Sequence, residues 1–417
     1  MPATATRPRR VPLSTWKLWA HRVAVLAARA VLRLPRRRRT PARAVPKVTI
    51  LLVHAWGMGG TIRTMLTVAG WLARRHEVEV LSAWRTREHP FFAFPPGVAV
   101  TAADDRRPGA GGRPAGLLRR LPGCLLFPGD RTHRQMTLWS DVQLVRHLRA
   151  SRPDVLIGTR PALNLLVASV GGAPARVASE HTAFSVYREP LQHEIWRCYR
   201  GLDAVVVLGE PERAPLEGSA PVWVIPNAAP RFAGAPARLE APVVVAAGRL
   251  VSAKGFDRLI RAFTWVAEVH PTWRLRICGG GPARAPLAAL IDELRLGGRA
   301  ELAGRVRDIE AELEAASVFA LSSRVEGLPI ALLEAMAKGL AVVSFDNCAG
   351  PCEVIEHGVD GLLVPGGDER ALARAICVLI ESPDLRRRLG DGARIKAAGY
   401  GIETVGPRWD ALIETLT

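Results

Sequence analysis

Residues 321–345 read Leu-Ser-Ser-Arg-Val-Glu-Gly-Leu-Pro-Ile-Ala-Leu-Leu-Glu-Ala-Met-Ala-Lys-Gly-Leu-Ala-Val-Val-Ser-Phe, and this stretch decides the fold. Ser317 to Leu321 just before it is a short apolar run, as in a buried parallel strand. A polar turn follows, from Ser322 to Gly327. Pro329, just inside a helix start, and Gly339, just past its end, then mark the boundaries of a run of strong helix formers, Ile330 to Lys338. Leu340 to Phe345 is the next strand. The order is strand, turn, helix, strand.

Two carboxylates lie in this unit. Eight residues at ~100° each would set Glu326 and Glu334 about 80° apart on one helix. The punctuation assigns them differently, Glu326 to the turn and Glu334 to the early helix. Between them, the N–H groups of Gly327, Leu328 and Ile330 are the free donors of a helix N-terminus, where anions bind. Acids beside an anion site suit a ligand that offers both hydroxyls and phosphates. Spacing alone fits a solvated acid and a capping acid equally well.

Upstream, Val243 to Ala246 is a buried strand that runs into Gly-Arg-Leu-Val-Ser-Ala-Lys-Gly-Phe-Asp at 248–257, then a helix to about Val269. Arg249 and Lys254 are two cations of the kind that neutralise a departing diphosphate. Arg274 to Cys278 is a strand ending in Gly279-Gly280-Gly281, which permits close approach to a ligand. Gly304-Arg305-Val306 follows another short strand. Downstream, residues 368–399 read as helical, and Ile402 to Leu416 as a last helix.

The first half has the same rhythm. Lys47 to His54 is a buried strand, followed by Ala-Trp-Gly-Met-Gly-Gly-Thr and a helix from Thr61 to Arg75. Gly59 and Gly60 bring backbone amides to a strand end, though they are not a complete dinucleotide fingerprint. Glu77 to Ser82, Val155 to Gly158, Arg176 to Ser179, Asp203 to Leu208 and Val222 to Ile225 are further strands. Helices at Leu138 to Ala150 and around Ala162 to Val170 imply a parallel sheet with crossovers. His181 follows one strand directly, where such sheets bind ligands. Residues 85–135 are irregular. Within them, 104–134 is rich in Gly, Pro and Arg and reads either as a solvated loop or as a contact with a lipid or anionic acceptor.

The chain has 417 residues, 48% hydrophobic content and a net charge of +18. That length suits two domains. Residues 1–47 hold thirteen Lys or Arg and no acid, so the rest carries only +5. Within this extension Trp16, Trp19, Val23, Leu26 and Ala30 recur at helical steps, a basic amphipathic pattern suited to an anionic membrane surface. A disordered basic leader is the other reading. Nucleic acid is not expected as a partner, because no aromatic platform accompanies the charge. The six cysteines have neither zinc-ribbon nor redox spacing and read as free thiols. No apolar run is long enough to cross a membrane as a helix.

Glu326-Gly-Leu-Pro with Glu334-Ala-Met-Ala and Gly339 resembles the Glu-x7-Glu signature of retaining glycosyltransferases of family 4. The resemblance covers roughly 48–417, is specific over 243–365 and loose over 85–150. It implies the α/β GT-B fold: two Rossmann-like domains facing across a cleft, here with a basic amphipathic N-terminal extension. The expected divisions are 1–46, 47–230, 231–400, and a helix at 401–417 that crosses back to the first domain. The implied reaction moves a hexose from a nucleotide-sugar to an acceptor hydroxyl with retention. A UDP-sugar is favoured as donor and GDP-mannose comes next. The acceptor is a glycan or lipid-linked molecule, and the place of work the cytoplasm, at the inner face of the membrane.

The resemblance also implies roles. Arg249 and Lys254 hold the diphosphate, with Gly59 and Gly60 opposite the donor phosphates or at the acceptor. Gly280, Arg305 and Val306 flank the nucleotide. The backbone of Gly327, Leu328 and Pro329 lies at the donor, and Glu334 accepts from ribose. Glu326 and His181 attend the reacting sugar. Neither a metal nor a separate cofactor is expected. A nucleotide-sugar epimerase or hydrolase on the same fold, and a non-catalytic membrane-associated scaffold, remain open as alternatives.

Overall fold

A computed structural model describes residues 15–33, 45–110, 113–170, 174–232 and 234–417. The Pro/Arg-rich segment at 1–14 and the basic run at Arg36 to Arg39 lie outside the described residues.

The first half comprises α1 (Thr15–Arg33), β1 (Lys47–Leu52), α2 (Gly60–Leu72), β2 (Glu77–Arg85), β3 (Val98–Asp105), α3 (Arg113–Leu118), α4 (Leu138–Ser151), β4 (Val155–Gly158), α5 (Pro161–Ser169), β5 (Ala175–Ser179), α6 (Glu189–Tyr199), β6 (Ala204–Val207) and β7 (Val222–Val224). Its seven strands pair in parallel in the order β3-β2-β1-β4-β5-β6-β7. β3 corrects the irregular reading of 85–135. It is an edge strand whose first residues are only half-buried, so it lacks the apolar run that marks β1.

The second half comprises β8 (Val243–Ala247), α7 (Phe256–Val269), β9 (Arg274–Cys278), α8 (Arg284–Glu293), β10 (Ala300–Gly304), α9 (Ile309–Glu314), β11 (Val318–Leu321), α10 (Ile330–Ala337), β12 (Ala341–Phe345), α11 (Ala349–Val354), β13 (Leu362–Val364), α12 (Glu369–Glu381), α13 (Pro383–Ala398) and α14 (Ile402–Leu416). Its six strands pair in parallel in the order β10-β9-β8-β11-β12-β13. Both sheets therefore run outward in two directions from their first strand. Ligands bind such sheets at the carboxyl ends, where the strand order reverses. Those places lie beside β1 and β4 in one sheet and β8 and β11 in the other.

Apolar residues cover both faces of each sheet. On the first, Leu81, Leu156 and Val205 point toward α4, α5 and α6, and Ile50, Val80 and Ile157 toward α2 and α14. α14 thus belongs to the core of the first sheet: Val405, Trp409, Leu412 and Ile413 are buried there. Trp71 Nε1 donates to Asp410 at 3.0 Å, and a Cβ on Gly406 would fall 2.3 Å from the Trp71 ring. The chain returns along Ala229 N–H to Tyr400 O at 2.7 Å.

Pro329 is not inside α10 as the sequence suggests. It caps the helix in extended conformation (ψ 112°), and Ile330 is the first helical residue. Gly339 (φ 78°) ends α10 in the left-handed region that glycine favours.

Candidate active site

The turn after β11 is fastened to the turn after β8. Arg324 N–H donates to Ala253 O at 2.8 Å, Ser322 Oγ to Lys254 O at 3.1 Å, and the Arg324 guanidinium to Asp257 at 2.7 Å. This sets Lys254 beside Glu326, and the two form an ion pair. The sequence reading gave Lys254 to a diphosphate and Glu326 to sugar hydroxyls. The structure joins them because half-buried charges find each other when they are this close.

Glu334 lies one turn into α10 and is buried, 6% exposed. It is paired with Arg63 from the first turn of α2, in the other domain. Burial pushes the Glu334 carboxyl up to about 7, and the Arg63 charge opposes that shift. Arg63 was not singled out in the sequence. One signal was there: a cation in the first turn opposes the helix dipole, so something else must hold it.

The N-termini of α2 and α10 face each other. A Cβ on Gly60 would lie 3.5 Å from Ile330, and Gly59 caps α2 with extended backbone. A Cβ on Gly327 would lie 3.6 Å from His181 O. Asn227 Nδ2 donates to Leu328 O at 2.8 Å, which pins the start of α10 to the connection between domains. A Cβ on Gly350 would meet Gly327 O at 1.5 Å, so α11 packs backbone to backbone against this turn.

His181 Nε2 is 3.2 Å from Ser179 Oγ, while its Nδ1 is buried, with the Asn227 side chain close enough to interact with the ring. Burial pushes its pKa down to about 4, so the ring is neutral at neutral pH. Behind it, buried Glu180 accepts from Asn164 Nδ2 at 2.8 Å, from Tyr187 OH at 2.6 Å and from Tyr199 OH. Burial raises the Glu180 carboxyl above its ordinary range. This cluster holds the loop that carries His181.

Arg249 is exposed just after β8. Gly279 (φ 156°) backs onto the same turn; a Cβ there would lie 1.8 Å from Gly248 O. Gly280 sits over the Arg305 stem, where a Cβ would be 2.9 Å from Cγ, and Val306 is half-buried next to it. All the residues singled out in the second half thus stand at the carboxyl edge of its sheet. An apolar pocket lined by Thr182, Phe184, Leu208, Gly327 and Glu353 adjoins the α10 turn; Arg249, Lys254 and Glu334 do not line it. Among the described residues no cluster of His, Cys, Asp or Glu is arranged to hold a metal ion.

Comparisons with known proteins agree with this geometry. Residues 58–230 match the model of Glycosyltransferase Family 4, and residues 231–396 that of Glycosyl transferases group 1. An exopolysaccharide phosphotransferase of Streptomyces coelicolor is 37% identical over 89% of this chain, which spans only 41% of that relative's length. An undecaprenol-linked-glycan α-1,4-N-acetyl-D-galactosaminyltransferase of Campylobacter jejuni is 24% identical, over 87% of this chain and 97% of its own. The Anabaena protein HepE, solved with UDP and glucose, superposes with a TM-score of 0.68 at 17% identity, covering 88% of this chain and 99% of that one. With both halves matched in order and both sheets built alike, the chain belongs to glycosyltransferase family 4 and has the GT-B architecture.

Proposed function

We propose that this protein is a retaining hexosyltransferase that moves a sugar from a nucleotide donor, a UDP-sugar in the first instance, to a hydroxyl of a glycan or lipid-linked acceptor in surface-polysaccharide assembly. The observation that carries this reading is the meeting of Lys254, Glu326, the α10 N-terminus and Glu334 on one domain with His181 on the other. Arg249 and Lys254 neutralise the diphosphate as it leaves, without a metal. The N–H groups at the start of α10 take its oxygens. Glu334 accepts from ribose hydroxyls, and Glu326 from hydroxyls of the donor sugar once Lys254 turns to phosphate. Neutral His181, whose backbone lies against Gly327, supports the same sugar. No protein nucleophile is assigned.

Two of the relatives support the partners by name: one is described with UDP and glucose, another with an undecaprenol-linked glycan. The Streptomyces relative is named for phosphoryl transfer. Glu326 and Glu334, on either side of the α10 N-terminus, favour glycosyl transfer here. The test is a thermal-shift series with UDP, GDP, ADP and their sugar conjugates. A rise with one nucleotide, lost in Lys254→Ala, is the expected result. No rise with any of them would overturn the reading and favour a scaffold. Donor altered in the absence of acceptor would instead favour an epimerase or hydrolase.

A further inference from the structure

α1 docks on the first domain by the face opposite to the one its apolar pattern marks. His21, Ala28 and Leu32 are buried, whereas Trp16, Trp19 and Leu26 are 59%, 69% and 63% exposed. Large apolar side chains grouped on a surface mark an interaction site. A second such pair stands at the end of α3 and just past it, where Leu117 is 67% and Leu121 47% exposed.

The two segments adjoin through the buried face of α1. His21 Nδ1 lies 3.1 Å from Cys124 O, and its ring meets Phe127 edge-on at 5.6 Å. The loop is tied in turn to the first turn of α4: Cys124 and Leu125 N–H groups donate to Asp141 at 2.6 and 2.9 Å. α4 starts at the carboxyl edge of the sheet, the edge that carries the cleft. The first half of α1 therefore lies toward that edge of the sheet. Lys17, Arg22 and Arg120 are exposed around the patch, and neither Thr15–Arg33 nor residues 106–128 contain an acid.

We propose that α1 and the segment 117–121 at the end of α3 together form a docking surface for a bilayer rich in anionic lipid. The tryptophans and leucines seat at the headgroup–acyl boundary, and the cations meet lipid phosphates. Lys17, Arg22 and Arg120, which pair with no acid among the described residues, disfavour a soluble protein partner, whereas Arg106, Arg107 and Arg119 are neutralised by Asp104 and Asp105. The surface deepens the proposed function by setting the cleft mouth at the membrane, and rests on that reading only for the acceptor's identity.

The test is sedimentation of the full chain with phosphatidylcholine vesicles, with or without phosphatidylglycerol. Wild-type protein is expected to sediment only with the anionic vesicles, and less at high salt. The double variants Trp16→Ser/Trp19→Ser and Leu117→Ser/Leu121→Ser should each weaken binding about tenfold. Both should melt as wild type does and keep the wild-type thermal shift with UDP. Wild-type binding by either double variant would overturn the composite surface. So would a wild-type chain that ignores vesicles but forms a dimer abolished by Trp16→Ser/Trp19→Ser, which would assign the patch to a second copy. A wild-type chain that binds vesicles but no nucleotide would count against the catalytic reading alone.

Discussion

Glu334 and Arg63 are a pair whose value depends on pH. The carboxyl is pushed up to about 7 by burial. An unfolded chain releases that proton near the ordinary value of 4.5, so the folded state holds more protons between 4.5 and 7. The contribution to stability is full below that window and fades as pH rises through it. On the proposed function donor binding would run the other way, since the ionised Glu334 carboxylate is the form that accepts from both ribose hydroxyls. The donor KM should fall as pH rises through about 7 and then level off. Initial rates from pH 5.5 to 8.5 should show this limb in wild type. Glu334→Gln should flatten it, and Arg63→Gln should move it to higher pH. His181, near 4, cannot supply it. Lys254→Ala should lower kcat/KM about 100-fold or more, since on the proposed function it removes charge where the diphosphate would depart, and it leaves Glu326 unpaired; steady-state kinetics with a fold check by circular dichroism tests this.

At the scale of elements, the catalytic edge depends on close backbone approach. Gly350→Ala should wedge α11 away from Gly327, costing roughly 1–3 kcal/mol of stability and raising the donor KM. Denaturant melts and kinetics on one variant measure both. Elements also show what the sequence reveals. β1, β4 and β11 were legible because both their faces are buried and their apolar runs are unbroken. α10 was legible because Pro329 and Gly339 punctuate a run of helix formers. β3 was not, since an edge strand of small residues ending in Asp104 and Asp105 carries little apolar signal. α6 was missed for a similar reason: its first turn is polar and only Leu191, Ile195 and Tyr199 are buried. The apolar face of α1 was legible, but not the direction it points. Docking was decided by His21 meeting Cys124, a pairing 103 residues apart that no local pattern encodes.

For the whole molecule, the relation between domains rests on a few polar links. Asn227 to Leu328, Arg63 to Glu334 and Glu210 N–H to Glu353 all cross the cleft or its base. These were the least legible features, because each needs two folded domains before the partners meet. Asn227→Ala removes the donor to Leu328 O and should cost ~1–2 kcal/mol. Amide exchange should quicken across 327–337 and stay unchanged in β1 and β2, which hydrogen–deuterium exchange resolves by peptide. α14 makes a different link. Trp409, Leu412 and Ile413 close the core of a sheet whose seven strands all precede Val243. On a ribosome, then, the earlier half waits for the later one. The second sheet has all its strands once Val364 emerges, while the first keeps an uncovered apolar flank until synthesis has passed Leu416. α14 acts as a quality gate: a chain stopped short of it leaves that flank exposed to chaperones and proteases.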